Sequence, residues 1–308
     1  MKHELPAALL YAAAAAFGRL PWALQRRLGD ALAWLWWRLG ARESTVALRN
    51  LEIAYPELLP SQRDALRRDV LRATGRQALL TLRLWTRPHA ENLALIRETH
   101  GEALFDAALA SGRGVIVAAP HFGNWELLNQ WLAAKTPLAI LYRPPESAIG
   151  EAFLRRVRAD ADAARVTQVR AEGPGIRALF KRLRDGGVVG ILPDQQPKVG
   201  DGEFVPFFGT QALTMTLVGR LAERSGATVL FAWCERVGPG LGFALHVAPA
   251  SPGIADADPH VAVAALNADV ERIARRDPAQ YQWTYKRFKA RPPGSGETNP
   301  YRDLERIE

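Results

Sequence analysis

The sequence predicts an α/β fold, a central mostly parallel or mixed β-sheet flanked by helices, with membrane-associating helices in front of it. Three observations carry this. Short apolar runs rich in Val, Ile and Leu recur from residue 114 onward, segments with helical spacing separate most of them, and the first forty residues read as helix with no strand pattern. Strands that are apolar throughout, rather than alternating, belong to a sheet covered on both faces. At 48% hydrophobic and 23% charged, the 308 residues can bury a sizeable core. No linker, low-complexity tract or internal repeat divides them before Pro292. The chain is therefore read as anchoring or interfacial helices over 1–40 and one domain over 41–308.

The first helix, "LPAALLYAAAAAF" (5–17), is uncharged, but its rise of about 20 Å falls short of the about 30 Å of a bilayer core. Gly18, Arg19 and Pro21 interrupt it, and "LGDALAWLWWRLG" (28–40) follows with a broad apolar face. Two readings stand: both helices lie in the interface, or the first extends into a tilted span with Arg19 at the headgroups. The weakly basic start argues against a cleaved signal peptide. Residues 60–88 form one or two amphipathic helices, opening on Ser61 as N-cap. Strands are then expected at 114–119, 138–143, 188–193, 227–235 and 243–249, and helices at 101–111, 146–160, 173–186 and 213–226. A last helix near 260–276 carries a core stripe of Val263, Leu266, Val270 and Ile273. Gly294, Ser295 and Gly296 fall in a disordered tail.

Formal charge is +8, and its distribution says more than its size: residues 1–90 hold 14 Lys and Arg against 7 Asp and Glu, with five of the nine tryptophans. Basic side chains mixed with Trp suit an anionic membrane interface. Nucleic acid is the rival partner, but no nucleic-acid-binding motif occurs and none is expected to bind. A solvated basic face on a helical cap is the plainer alternative. Cys234, the single cysteine, excludes a disulfide framework and a cysteine-based zinc site, and its apolar surroundings make it a packed thiol. The six histidines are scattered, and neither HExxH nor GxSxG occurs. No metal or cofactor is expected.

The chemistry-bearing stretch is "VIVAAPHFGNWELL" (115–128), which sets His121 just past a strand and Glu126 five residues on. Five residues turn a helix by about 500°, so the two cannot share one helical face. They converge only if His121 sits in the turn and Glu126 in the first turn of the next helix, with Gly123 allowing the turn and Asn124 capping the helix. Glu126 would then accept a hydrogen bond from one imidazole nitrogen, leaving the other as a base for an alcohol that attacks an acyl carbonyl. First-turn amides nearby could stabilise the oxyanion. A histidine after a strand is more often structural, and spacing alone leaves both readings open. Asp194 follows "VVGILP" much as His121 follows "VIVAAP", so the two could line one edge; a turn or cap aspartate is the alternative. Arg143 and Arg170 are candidates to hold phosphate or carboxylate groups of an anionic substrate.

"GRGVIVAAPHFGNWELL" resembles the HxxxxD/E motif of glycerolipid-type acyltransferases, in the form used by the bacterial lipid A late acyltransferases. "LYRPPES", "VRAEGPGIRALFKRLRDGGVVGILPDQQP", "FVPFFGTQALT", "RSGATVLFAW" and "DPAQYQWTYKRFKARPPG" are similar to that family in order and spacing, from about residue 45 onward. The resemblance implies a glycerolipid acyltransferase-like catalytic domain over 41–308. Its implied reaction moves a fatty acyl chain from an acyl carrier protein thioester, with acyl-CoA as the alternative donor, to a hydroxyl of an anionic lipid acceptor, a lipid A precursor. Its implied place is the inner membrane surface, with the catalytic domain on the cytoplasmic face. By motif, His121 is the base and Glu126 its orienting partner, and Arg170 and Asp194 fall where the family keeps a functional arginine and aspartate; with Asn124 and Arg143 these two are the expected substrate-binding residues. The alternatives are another acceptor, a lysophospholipid or an aminolipid, and a non-catalytic membrane lipid-binding protein on the same fold.

Overall fold

A computed structural model describes residues 3–142, 147–158, 165–170 and 172–304. Helices α1 (Glu4–Gly18) and α2 (Trp22–Arg38) meet at a bend of 113° across the Arg19–Pro21 break. No single helix among the described residues is long and apolar enough to cross a membrane; only this bent pair passes that test, as a unit. Then come α3 (Arg42–Ala54) and α4 (Pro60–Thr86), a single 27-residue helix. It begins one residue before the expected cap: Pro60 takes the first turn, where its missing N–H costs nothing, and Gln62 Oε1 accepts from Leu59 N–H at 2.8 Å. Ser61 therefore lies inside the helix.

The remaining elements are α5 (His89–Leu93), β1 (Ile96–His100), α6 (Glu102–Ala110), β2 (Val115–Ala118), α7 (Trp125–Lys135), β3 (Leu138–Tyr142), α8 (Ala148–Arg158), β4 (Val166–Arg170), α9 (Gly173–Arg184), β5 (Val188–Ile191), β6 (Gly202–Phe207), β7 (Thr210–Met215), α10 (Leu217–Ser225), β8 (Thr228–Arg236), β9 (Phe243–Pro249) and α11 (Pro259–Ala274). Seven strands form one sheet in the order β1-β9-β8-β2-β5-β3-β4, parallel except where β8 meets β9. The sheet is thus mixed but mostly parallel. Alternation along β2 divides the core between its faces. Ile116 and Ala118 join a cluster with α3, α9, α10 and α11, whereas Val115 and Val117 join α4, α6 and α7 on the other side.

Three features depart from the sequence-based expectation. Residues 213–215 end β7 instead of starting a helix, because β6 and β7 pair as a hairpin closed by Phe208 and Gly209, both at positive φ (49° and 74°). The tail after Pro292 is not disordered over its described part: Tyr301 is fully buried, its hydroxyl bonded to Asn50, and Arg49 pairs with Asp303 at 2.8 Å. The edge strands β1 and β4 were not foreseen, since both are largely exposed and carry no apolar run.

Two glycines let α2 cross α4 with backbone against backbone. A Cβ on Gly75 would sit 2.6 Å from the Gly29 carbonyl oxygen, and one on Gly29 would sit 2.9 Å from Arg76 Cα. Arg76 then reaches back to Asp30 with a two-pronged ion pair across the crossing.

Candidate active site

Parallel pairing of β2 and β5 sets the centre of the site. Ala118 lies opposite Ile191, and each strand continues through one residue and a proline to a polar side chain, His121 on one and Asp194 on the other. Equal offsets from a shared register bring the two together. His121 Nδ1 lies 2.7 Å from Asp194 Oδ1, and His121 backbone N–H donates to Oδ2 at 2.9 Å. Asp194 is 4% exposed. A carboxylate only accepts, so in the neutral imidazole the ring proton resides on Nδ1 and the lone pair on Nε2. Nε2 in turn faces Gln195 Nε2 at 3.2 Å, an amide that also donates to Gln282 Oε1 at 3.1 Å.

Burial alone would raise the Asp194 carboxyl, but attraction to His121 and hydrogen bonds from its ring and backbone outweigh it, holding the group below the ordinary carboxylate range. Behind it, the Tyr281 hydroxyl is pushed well up, by burial first and by the Asp194 carboxylate second. Buried Arg287 donates to the Leu213 carbonyl at 2.7 Å and to Thr214, which fixes the closing segment against the hairpin.

The loop carrying His121 is held from two further sides. Asn124 N–H donates to the Cys234 carbonyl at 2.8 Å, Gly123 N–H to the Gln280 carbonyl at 3.0 Å, and Gln282 N–H to the His121 carbonyl at 3.0 Å. Gly123 is required here: its φ is +59°, and a Cβ would stand 2.0 Å from the Cys234 oxygen. Asn124 Oδ1 accepts from Leu127 N–H at 2.8 Å and caps α7, as the sequence suggested. Cys234 itself is a buried thiol whose pKa is driven up by desolvation.

The expected bond between His121 and Glu126 is not formed. Glu126 is the second residue of α7, half-buried, with no hydrogen bond or ion pair among the described residues, while Nδ1 is already turned toward Asp194. The register of two neighbouring strands, not the five-residue spacing, chose the partner. Asn124 is fully buried with its amide engaged on both sides, by Leu127 and by Gln77 at 3.0 Å, so it supports the loop and presents nothing to a ligand. Arg170 is exposed at the end of β4, two strands beyond β5. Arg143 lies outside the described residues. The repeated strand-X-Pro-polar pattern was the signal that could have paired His121 with Asp194; Gln195 and Gln282 gave none.

His121 opens on a cleft. Trp22 from α2, Ala73 to Leu80 from α4, Trp125, Arg236 at the end of β8 and Ala279 to Gln282 wall it. The edge of Trp125 packs on the His121 ring at 5.1 Å. A polarised imidazole beside a cleft and the first turn of a helix can perform general-base chemistry on a bound alcohol.

The family model described as bacterial lipid A biosynthesis acyltransferase matches residues 5–290. The lipid A biosynthesis lauroyltransferase of Escherichia coli (strain K12) is 28% identical over 279 residues, covering 90% of this chain and 89% of its own. The palmitoleoyltransferase of the same strain is 27% identical over 271 residues, 85% and 86% of the two chains. A phosphatidylinositol mannoside acyltransferase of Mycobacterium tuberculosis (strain ATCC 25618 / H37Rv) is 30% identical over 145 residues, 46% of this chain and 45% of its own.

Proposed function

Because the chain belongs to the bacterial lipid A biosynthesis acyltransferase family, we propose that it transfers a fatty acyl chain from a carrier-protein thioester to a hydroxyl of a lipid A precursor, with His121 as general base. The single observation behind the base is the 2.7 Å contact of His121 Nδ1 with buried Asp194, which leaves Nε2 as the acceptor beside the cleft. The acceptor hydroxyl gives its proton to Nε2 as its oxygen attacks the thioester carbonyl. The tetrahedral intermediate then collapses, the C–S bond breaks, and the thiolate takes that proton from the imidazolium. The first-turn amides of Trp125 and Glu126 in α7 are proposed as donors for the oxyanion, Leu127 N–H being taken by the Asn124 cap. Asp194 acts through His121 and is a positioning residue. Glu126, at the same helix start, is the second carboxylate of the site, and Arg170 and Arg143 are proposed for the substrate's outer contacts.

Residues 1–40 are proposed as the anchoring helices and 41–308 as the catalytic domain, at the cytoplasmic face of the inner membrane. Leu5, Leu9, Leu10, Leu28, Trp34 and Leu39 are all exposed on α1, α2 and the turn after them, an apolar surface adjoining arginines that suits an anionic lipid interface. Another polar lipid as acceptor is the second reading, supported by the likeness to the mycobacterial mannoside acyltransferase. Purified His121→Ala should lose about 10²–10⁴-fold in acyl transfer while keeping its fold and vesicle binding; wild-type turnover would refute the base. Lipid mass spectra of cells with and without the gene identify the acceptor by the one acyl mass that differs.

A further inference from the structure

The cleft beside His121 contains hydrogen-bond donors with nothing to receive them. Arg236, half-buried at the end of β8, forms no hydrogen bond or ion pair through its guanidinium among the described residues. Its backbone is fixed: Arg236 N–H donates to Gln280 Oε1 at 2.8 Å, and Gln280 Nε2 donates to the Arg236 carbonyl at 3.0 Å. Since the Gln280 carbonyl also accepts from Gly123, the same residue locks Arg236 to the His121 loop.

Two further residues line the cleft, Trp22 and Gln77, and Trp22 Nε1 and Gln77 Nε2 are buried donors with no partner among the described residues. The orientation of Gln77 follows from the helix cap. Leu127 N–H requires the oxygen of Asn124, so Asn124 presents its NH₂ to Gln77, which must meet it with Oε1. Gln77 is left with an NH₂ and no acceptor. An indole N–H, an amide NH₂ and a guanidinium are all donors, so the group that completes them supplies acceptors only. Charge agrees: Arg236 feels Arg76 and Arg26 against Asp277 and Asp30, and Asp30 is already paired with Arg76.

We propose that Arg236, with Trp22 and Gln77, forms an anion subsite in this cleft that receives a phosphate group of a substrate and sets its reacting end against His121. The inference rests on the acyl-transfer reading. Two substrates bring phosphate to this site, a phosphorylated lipid acceptor and the phosphopantetheine arm of a carrier-bound thioester.

The test uses the full chain in detergent micelles. Inorganic pyrophosphate is titrated while the indole N–H resonance of Trp22, assigned with Trp22→Phe, is followed. A saturable shift that weakens about tenfold to a hundredfold in Arg236→Gln, and less in Arg236→Lys, is expected for a lost charge-assisted contact. Turnover then names the source. A KM rise in Arg236→Gln confined to the phosphorylated acceptor, absent for its dephosphorylated form, assigns the acceptor headgroup; one confined to acyl-phosphopantetheine over acyl-pantetheine assigns the donor arm. No pyrophosphate shift in the wild-type protein, or an equal KM rise with and without phosphate, overturns the subsite. Turnover by the wild type in that case leaves the acyl-transfer reading standing, whereas pyrophosphate binding without any acyl transfer sinks that reading and not the subsite. Because the guanidinium holds no partner among the described residues, Arg236→Gln should unfold at the wild-type temperature.

Discussion

Asp194→Asn changes one oxygen to an NH₂ at nearly constant volume, and the surroundings dictate how the amide must sit. His121 backbone N–H is a fixed donor to this side chain at 2.9 Å, so the amide oxygen stays with it and the NH₂ turns to Nδ1. Nδ1 must then accept, which drives the ring proton to Nε2 and removes the lone pair that the proposed general base uses. The variant should therefore fold, lose one charged hydrogen bond for about 1.5–3 kcal/mol, and lose acyl transfer by about 10²–10⁴-fold, the range of general-base catalysis. Initial rates with a radiolabelled acyl-carrier thioester measure the loss, and ¹⁵N shifts of the two His121 ring nitrogens report the tautomer, which a merely structural role would not move. Glu126→Gln, which breaks no bond, should stay within a few-fold of the wild type. The reverse order, with Asp194→Asn active and Glu126→Gln dead, would refute the assignment of Asp194 as the positioning carboxylate.

The Asp194 carboxyl is held below its ordinary range, so its contribution to stability is complete above the unfolded-state value of about 4 and is lost as pH falls through the lower folded value. The gap in melting temperature between wild type and Asp194→Asn should thus be flat at neutral pH and close on acidification; a gap that widens in acid contradicts the sign. Gly123→Ala should cost at least the about 1–2 kcal/mol of a left-handed backbone, plus the clash with Cys234, and should disable transfer by moving His121; urea unfolding reads the first and rates the second. Trp283 is 1% exposed, donates through Nε1 to the Pro278 carbonyl at 2.8 Å and packs on Tyr55, Phe208 and Tyr281. Trp283→Ala should cost about 3–5 kcal/mol, and a loss under about 1 kcal/mol in denaturant would show that the closing segment is not docked as described.

The buried strands β2, β3, β5, β8 and β9 were legible because each is an apolar run long enough to cross a two-sided sheet. The edge strands were not, since exposure leaves them no hydrophobic signature, and the hairpin was hidden by a turn built on Phe208 rather than on Asn or Asp. His121, its loop, and the cap at Asn124 could be read from local chemistry. The partner of His121 was only half legible: the matching strand-X-Pro-polar pattern put Asp194 on the same edge, but that β5 lies directly beside β2, about seventy residues earlier, is a tertiary fact. The order of the tail could not be read from Gly294, Ser295 and Gly296, because what anchors it is the buried ring of Tyr301, which composition does not reveal.

The touching backbones at Gly29 and Gly75 leave no slack between α2 and the long helix beneath it. Trp34 and Leu39 on the outer side of that contact face solvent, while Trp22 and Arg76 on its inner side belong to the reaction chamber and its Asp30 pair. The same contact therefore joins the greasy outer rim of the front helices to the chamber wall through one close-packed crossing. Under the anchoring proposed above, seating that rim on a lipid surface would bear directly on the chamber. Side chains larger than hydrogen at this crossing would uncouple the two before they touched any substrate.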